Sequence, residues 1–270
     1  MAIKWVDRVP TRANRVLVTP ENGGTPYYAT ITRADEPSVV GTPVNAQNLN
    51  AMQEAAGLTA NRNVYVSTAG SDNVGDGSQA NPYASINKAL STIPKNLNGF
   101  NATIYVAGGI YGENVYVSNF GNGFLKFSGV AGDVVTVNKF EIINVKLCEI
   151  DNISINLPTS YFYALASGVR VVSPIKAGGG VYGVYATNGA TLVCAGTVEV
   201  NDTTQYAVVC TSGSRLYIQN LTGSNNKFVA ASTLGGIFSF GTNTLTGTAQ
   251  FYTDTGGRIF SGAQTQMPSY

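Results

Sequence analysis

The sequence predicts an all-β chain folded as a single-stranded parallel β-helix, or solenoid, and two observations carry this prediction. The second half contains a repeat of 21 to 24 residues in which each unit opens on a glycine: Gly168, Gly189, Gly213, Gly235 and Gly256. Between these glycines lie β-branched and aromatic residues without helical periodicity, a pattern typical of repeated strand, turn and strand. Each repeat is therefore expected to form one coil.

Because a solenoid stacks equivalent residues, alignment of the repeats on their glycines predicts the environment of each position. The third residue after the glycine is apolar and should form an inward ladder: Val171, Leu192, Leu216, Phe238 and Ile259. The second residue faces outward by strand alternation and includes three arginines: Arg170, Arg215 and Arg258. The fourth residue also faces outward, and its apolar members predict a subunit interface: Val172, Val193, Tyr217 and Phe260.

The composition indicates which partners and bound groups are not expected. The 270 residues include 31 glycines and no histidine, only 11% are charged, and the net charge is +1, so neither nucleic acid nor an anionic membrane is an expected partner. No apolar run reaches the roughly 18 residues of a membrane span, and the first residues do not resemble a secretory signal. Cys148, Cys194 and Cys210 lack metal-ligand spacing and are predicted to be buried thiols. Neither a metal nor a cofactor is expected.

The first 62 residues differ from the rest, with clustered prolines and a predicted helix over 46–56 ended by Gly57. Phrases beginning at Trp5, Asn14, Tyr28 and Gly41 resemble, in order, the N-terminal arms of structural proteins from phages and prophages of Gram-positive bacteria. The resemblance implies that this arm docks onto a virion. The implied docking residues are Trp5, Arg8, Pro10, Arg15, Tyr28, Arg33, Asp35, Pro37 and Leu49. An ordinary small N-terminal domain is the alternative.

A second resemblance begins at Asn63. The run from Asn63 to Leu90, with its Gly-Ser-Asp and Asp-Gly loop, is similar to the opening of a pectate-lyase-like right-handed parallel β-helix. This implies a strand, a loop and a capping helix over 63–96, followed by a shaft of seven or eight coils over 97–270. Pro82 near the start and Pro94 at the end suit that helix. Asp72 and Asp76 are interpreted as bonding the loop's own backbone, with a calcium site as the alternative.

The same fold occurs in polysaccharide lyases and hydrolases, but a fold alone does not give activity. Glycoside hydrolysis usually needs two carboxylates across a groove. Glu149 and Asp151, two apart on a predicted strand, are the best pair downstream of residue 100. Without histidine the commonest general base is missing. The pair is therefore interpreted as outward polar residues rather than catalytic ones.

These observations predict a non-enzymatic phage appendage, a tail-fibre or baseplate-like homotrimer located in the virion and made in the host bacterial cytoplasm. The three arginines are candidates for binding acidic groups of a host surface polysaccharide, or else form solubilising surface or trimer salt bridges. Five tyrosines are candidates for stacking on sugar rings: Tyr161, Tyr163, Tyr182, Tyr185 and Tyr206. The alternatives are a polysaccharide-degrading tailspike, a head fibre or decoration protein, and a purely structural collar or baseplate component.

Overall fold

The computed structural model describes residues 15–18, 25, 27–30, 49, 52 and 57–261. The chain divides into two compact units, Met1–Ala56 and Gly57–Tyr270. In the first unit, β1 (Arg15–Val18) pairs antiparallel with β2 (Tyr27–Thr30).

Three of the predicted docking residues fall within the described part of the first unit. Arg15 lies in β1, Tyr28 lies in β2, and Leu49 is helical, as is Met52. The others lie outside the described residues: Trp5, Arg8, Pro10, Arg33, Asp35 and Pro37. Most of the predicted 46–56 helix also lies outside them, and docking stays a prediction.

The second unit is a parallel β-solenoid of about seven turns, which confirms the predicted fold class. Its strands belong to two sheets. The larger sheet contains β3 (Arg62–Val66), β4 (Asn101–Val106), β5 (Gly109–Ile110), β7 (Phe124–Thr136), β9 (Cys148–Leu157), β11 (Gly168–Val171), β12 (Ile175–Gly178), β14 (Thr191–Asn201), β16 (Arg215–Thr222), β18 (Ile237–Asn243) and β20 (Arg258–Phe260). The smaller, seven-stranded sheet contains β6 (Asn114–Ser118), β8 (Lys139–Ile143), β10 (Phe162–Leu165), β13 (Val184–Thr187), β15 (Tyr206–Cys210), β17 (Asn226–Ser232) and β19 (Gly247–Thr253).

The larger sheet contributes two of the three walls of each coil. In β7 the pairing register with β9 shifts between Ser128 and Asp133, so the first part of β7 pairs with β4 and the last part with β5. A similar shift divides β14 between Cys194 and Thr197. The third wall is the seven-stranded sheet, and the three walls together enclose a continuous apolar core.

Inward ladders of large side chains fill this core. Phe127 and Phe140 come from two walls of one coil and Phe162 from the next coil, and all three are fully buried. The Phe140 and Phe162 rings stack with centroids 5.5 Å apart, and Phe127 meets Phe140 edge-on at the same distance. The predicted inward residues are likewise all buried: Val171, Leu192, Leu216, Phe238 and Ile259. The predicted burial is therefore confirmed for all five, and the predicted ladder is confirmed from Leu192 to Ile259.

One part of the glycine alignment is wrong. In later coils the corner before the larger sheet places two successive residues at positive φ, as in Asn188-Gly189 (54° and 75°), where glycine costs little. The corner before β11 is shorter, with Ala166 at positive φ, and Gly168 already lies in β11 opposite Thr191. The first repeat is therefore displaced by two residues, and Val169, not Val171, stacks on Leu192.

The predicted capping helix is confirmed as α1 (Ile86–Ser91), which packs against β3, β4 and β6 with Ile86, Ala89 and Leu90 buried. The Ser85 hydroxyl caps it by accepting from the Lys88 amide at 3.1 Å. A carboxylate from the first coil also reaches the helix, because Glu113 accepts from the amides of Ile86 at 2.7 Å and Asn87 at 3.0 Å.

The acids of the preceding loop bond backbone, as the sequence predicts. Asp72 Oδ1 accepts from the Ala84 amide at 2.8 Å, and its Oδ2 accepts from the Ser85 hydroxyl at 2.7 Å. Asp76 accepts from the Ser78 amide at 2.8 Å, and hydrogen bonds from Ser78 lower its pKa. These bonds tie the loop to the start of α1.

Candidate binding surfaces

The candidate carboxylates Glu149 and Asp151 lie on one outward side of β9, but both are engaged by neighbouring coils. Lys126 Nζ lies 3.1 Å from Glu149 Oε1 and 2.7 Å from Asp151 Oδ2. The other Glu149 oxygen, Oε2, contacts the Arg170 guanidinium at 2.8 Å. The hydrogen bond with Asp151 is the largest cause that raises the pKa of Lys126. The result is an interdigitated charge cluster across three coils, and its member Lys126 was missed by the sequence reasoning.

The three arginines do not form one ladder. Arg215 and Arg258 share a column, with Ile237 between them. Arg170 stands in the adjacent column, opposite Glu149 on one side and Val193 on the other. The predicted placement of Arg170 is therefore wrong, because the two-residue displacement of its repeat moves it along the strand. Ligand binding by these arginines stays a prediction.

The predicted apolar interface column changes for the same reason. Its true order from β14 onward is Val193, Tyr217, Ser239 and Phe260. Val172 is not a member, since Arg170 occupies its expected place, and it instead lines a small pocket of about 190 Å³ together with Asp151. The column is thus charged in its early coils, at Glu149 and Arg170, and mostly apolar, with Ser239 as the exception, in the later ones.

The outer side of the seven-stranded sheet carries a row of stacked aromatic side chains, and we call it the tyrosine face. Its central column runs across all seven strands: Tyr116, Glu141, Tyr163, Tyr185, Val209, Ala231 and Tyr252. A second group flanks this column: Tyr161, Tyr182, Tyr206 and Phe228. Tyr116 and Tyr252 are 47% and 40% exposed, and the other rings are half-buried.

The rings of the tyrosine face stack on one another from coil to coil. Tyr163 and Tyr185 lie 5.4 Å apart with planes 12° from parallel, and Tyr182 packs on Tyr185 at 5.1 Å. Tyr206 stacks on Phe228 at 4.7 Å. Because the ring faces cover each other, the ring edges are left toward solvent. Burial is the first cause that raises the pKa of Tyr163, Tyr185 and Tyr206, so these phenols are neutral at pH 7.

The strands of the tyrosine face contain few charges. Three of their residues are charged: Lys139, Glu141 and Lys227. Lys139 Nζ and Glu141 Oε1 form an ion pair at 2.6 Å, and the Lys139 ammonium lies 5.3 Å from the centre of the Tyr161 ring. From β10 to β19, Lys227 is the one charged residue in a strand of this sheet. The sequence could not show this segregation, because outward positions of all three walls alternate in the same way.

A polar groove runs along the corner where the larger sheet turns into the tyrosine face. It has a volume of about 660 Å³ and spans three coils. Its lining is mainly hydroxyl and amide side chains: Thr203, Thr204, Asn225, Asn226, Lys227, Thr246, Gly247 and Thr248. Its inner side holds Asn226, which is 2% exposed and whose side chain bonds three coils. Such a lining suits a ligand rich in hydroxyl groups.

The three cysteines are buried free thiols, as predicted. Burial raises the pKa of Cys194 and of Cys210 to about 12 and that of Cys148 further, which leaves them protonated and unreactive. Within the part of the chain that the structure describes, no group of three or more acidic or cysteine side chains is arranged to hold a metal ion. None of the helices among those residues is both long and apolar enough to cross a bilayer.

Comparison with protein families, with curated proteins and with solved structures gives no match to this chain. The resemblances to phage appendage arms and to pectate-lyase-like β-helices accordingly stay predictions.

Proposed function

We propose that this protein is a non-enzymatic bacteriophage virion appendage, a tail-fibre or baseplate-like homotrimer made in the host bacterial cytoplasm. Residues 1–60 attach it to other virion proteins, and the solenoid forms a projecting shaft. The arm resemblance supports the virion location. The observation that carries the non-enzymatic role is the engagement of the best carboxylate pair, Glu149 and Asp151, by Lys126 and Arg170.

That engagement disfavours glycosidase chemistry on physical grounds. A retaining or inverting mechanism needs one carboxyl group that gives up a proton and a second that acts as base or nucleophile. Both oxygens of Glu149 contact cations, so neither is free to meet a glycosidic oxygen or a water nucleophile. Asp151 is held by the same Lys126 ammonium. The four side chains instead cross-link adjacent coils, which is a structural use of charge.

We further propose that the shaft contacts host surface polysaccharide at the polar groove. Its threonine hydroxyls and asparagine amides match the donors and acceptors of sugar hydroxyls. Lys227 adds one positive charge at the rim, next to Phe228, with its ammonium 5.5 Å from that ring's centre. The groove is favoured over the arginines because Arg170 is separated from Arg215 and Arg258 in register and is already paired with Glu149.

The test incubates the full-length protein with intact host cells and with their purified surface polysaccharide. We expect adsorption to both, without new reducing ends or unsaturated products. A Lys227→Ala, Thr204→Ala variant should adsorb at least tenfold more weakly, whereas Arg215→Ala should adsorb normally. The groove variant tests the site, and the product analysis tests the absence of catalysis.

Other outcomes select the alternatives. Glycan cleavage that is abolished by Glu149→Gln would identify a tailspike and overturn the non-enzymatic proposal. Protein that neither adsorbs nor cleaves would indicate a structural collar, baseplate or decoration component. Loss of adsorption in Arg215→Ala but not in the groove variant would return binding to the arginine column.

A further inference from the structure

The tyrosine face has the composition of a protein interface, and we propose that copies of this chain associate through it. Tyrosine and phenylalanine are enriched at the centres of such interfaces, whereas acidic residues and lysine are depleted there. From β10 to β19 the sheet shows this composition, with Tyr163, Tyr185, Tyr206 and Tyr252 outward and Lys227 at one edge. The inference does not depend on a virion role.

Ring orientation favours a second protein copy over a sugar as the occupant. A sugar ring stacks on an exposed aromatic face, but the faces of Tyr163 and Tyr185 cover each other at 5.4 Å, as do those of Tyr206 and Phe228 at 4.7 Å. The outward ring edges can instead meet aromatic faces of another chain in edge-to-face contacts. Tyr116 and Tyr252, the most exposed rings at 47% and 40%, lie at the two ends of the face.

The size of the face is sufficient for specific association. Seven strands give six spacings of about 4.8 Å, and four to five residues across each strand give about 15 Å, so the face measures roughly 29 Å by 15 Å. Two such faces, with protruding rings, would bury on the order of 1,000 Å² in total, which is the lower bound for a specific interface. The association should accordingly depend on concentration.

Charge distinguishes this surface from the column of Val193, Tyr217 and Phe260. That column continues into Arg170, whose side chain is 54% exposed although it pairs with Glu149, so a partner would have to desolvate its guanidinium. On the tyrosine face, Lys139 and Glu141 already neutralise each other at 2.6 Å, and Glu141 is 8% exposed. Its other charges, Lys227 at the start of β17 and Asp254, which accepts from the Tyr252 hydroxyl at 3.2 Å just after β19, lie at the rim of the face, where they can stay hydrated. Dehydrating the centre of the tyrosine face is therefore the less costly of the two.

The experiment measures the mass of the full-length protein in solution by light scattering over about 1 to 100 µM. We expect an oligomer, and we expect Tyr163→Glu combined with Tyr185→Glu to weaken association at least tenfold. The matched control is Tyr105→Glu, because Tyr105 is also outward, 36% exposed and stacked on its neighbour, Tyr65, at 4.8 Å, but lies on the larger sheet. The control should keep the wild-type mass.

A cross-linking measurement keeps the test decisive if the double variant fails to fold. Because the native thiols are buried, a single cysteine introduced as Tyr185→Cys, on the central strand of the face, should cross-link between copies, and one introduced as Tyr217→Cys should not. A monomer at every concentration overturns the proposal, whether or not that monomer binds glycan. It is equally overturned by cross-linking at position 217 alone, or by a folded tyrosine-face variant that keeps its mass.

Discussion

Replacing Asn226 is expected to destabilise the last three coils strongly, because its buried side chain bonds two neighbouring coils. Its Nδ2 donates to the Val200 carbonyl at 2.9 Å and to the Thr246 carbonyl at 3.3 Å. Its Oδ1 accepts from the Thr203 hydroxyl at 2.7 Å and from the Thr203 amide at 3.2 Å. One side chain therefore bonds the coil before its own and the coil after it.

The magnitude follows from what Asn226→Ala would leave unpaired. Thr203 is 3% exposed, so its amide and hydroxyl, together with the Val200 carbonyl, would lose a partner away from water. Each such group costs about 1 to 3 kcal/mol, and partial relaxation toward the groove reduces the sum, so we expect about 3 to 5 kcal/mol. For a unit of this size that lowers Tm by roughly 10 °C.

Two further variants separate hydrogen bonding from packing. Thr203→Val removes one hydroxyl bond at nearly constant volume and should cost about 1 to 2 kcal/mol, whereas Thr204→Val, exposed next to it, should stay within about 0.5 kcal/mol. Urea unfolding followed by far-UV circular dichroism measures all three. An Asn226→Ala variant within about 1 kcal/mol of the wild type would refute the reasoning.

Three other predictions follow from the same structure. Burial is the main cause that raises the pKa of Glu113, so the folded state binds the Glu113 proton more tightly than the unfolded state does. The free energy of unfolding should therefore fall as pH rises from about 4.5 through the raised pKa. This pH dependence should vanish in Glu113→Gln. The three buried thiols should react with a thiol reagent at pH 8 only after unfolding, and reaction of the native protein would contradict their burial. In Gly213→Ala the new Cβ meets open space, but the residue keeps a φ of 72°, which should cost about 1 to 2 kcal/mol of stability. Gly257→Ala should cost more, because its Cβ would overlap the Ser232 carbonyl. Thermal melts that rank the two variants the other way would refute this.

The repeat was predictable because its signal is local. A glycine at a corner and an apolar residue three positions on recur in every later coil, and these positions are the positive-φ turn and the inward ladder of the structure. The exact register of the first repeat was not predictable in this way. Gly168 looks like Gly189 in sequence, but hydrogen bonding places it opposite Thr191, because the corner before it is shorter.

The surfaces were harder to predict, since they depend on which coils a side chain reaches. Lys126 contacts two acids that follow it by more than 20 residues, and no short motif links them. In the sequence Asn226 looks like an ordinary surface residue, but in the structure its side chain is buried at a corner of the coil. Five tyrosines were recognised as candidates, but that they lie together on the outer side of the seven-stranded sheet emerges only from the strand order and the ring contacts.

The positions of the charged residues along the solenoid indicate which of its outer walls could contact another copy. Charged contacts between coils cluster early, at Lys126, Glu149, Asp151 and Arg170, where opposite charges stack across the larger sheet. In later coils the charges lie mainly on the larger sheet, as in the Lys176–Glu199 pair at 3.3 Å and the outward Arg215 and Arg258, whereas from β10 to β19 the strands of the seven-stranded sheet carry one charge, Lys227. A chain that pairs its charges within one subunit leaves its least charged wall available to another subunit. The tyrosine face is therefore the wall on which contacts between copies of this chain would cost least.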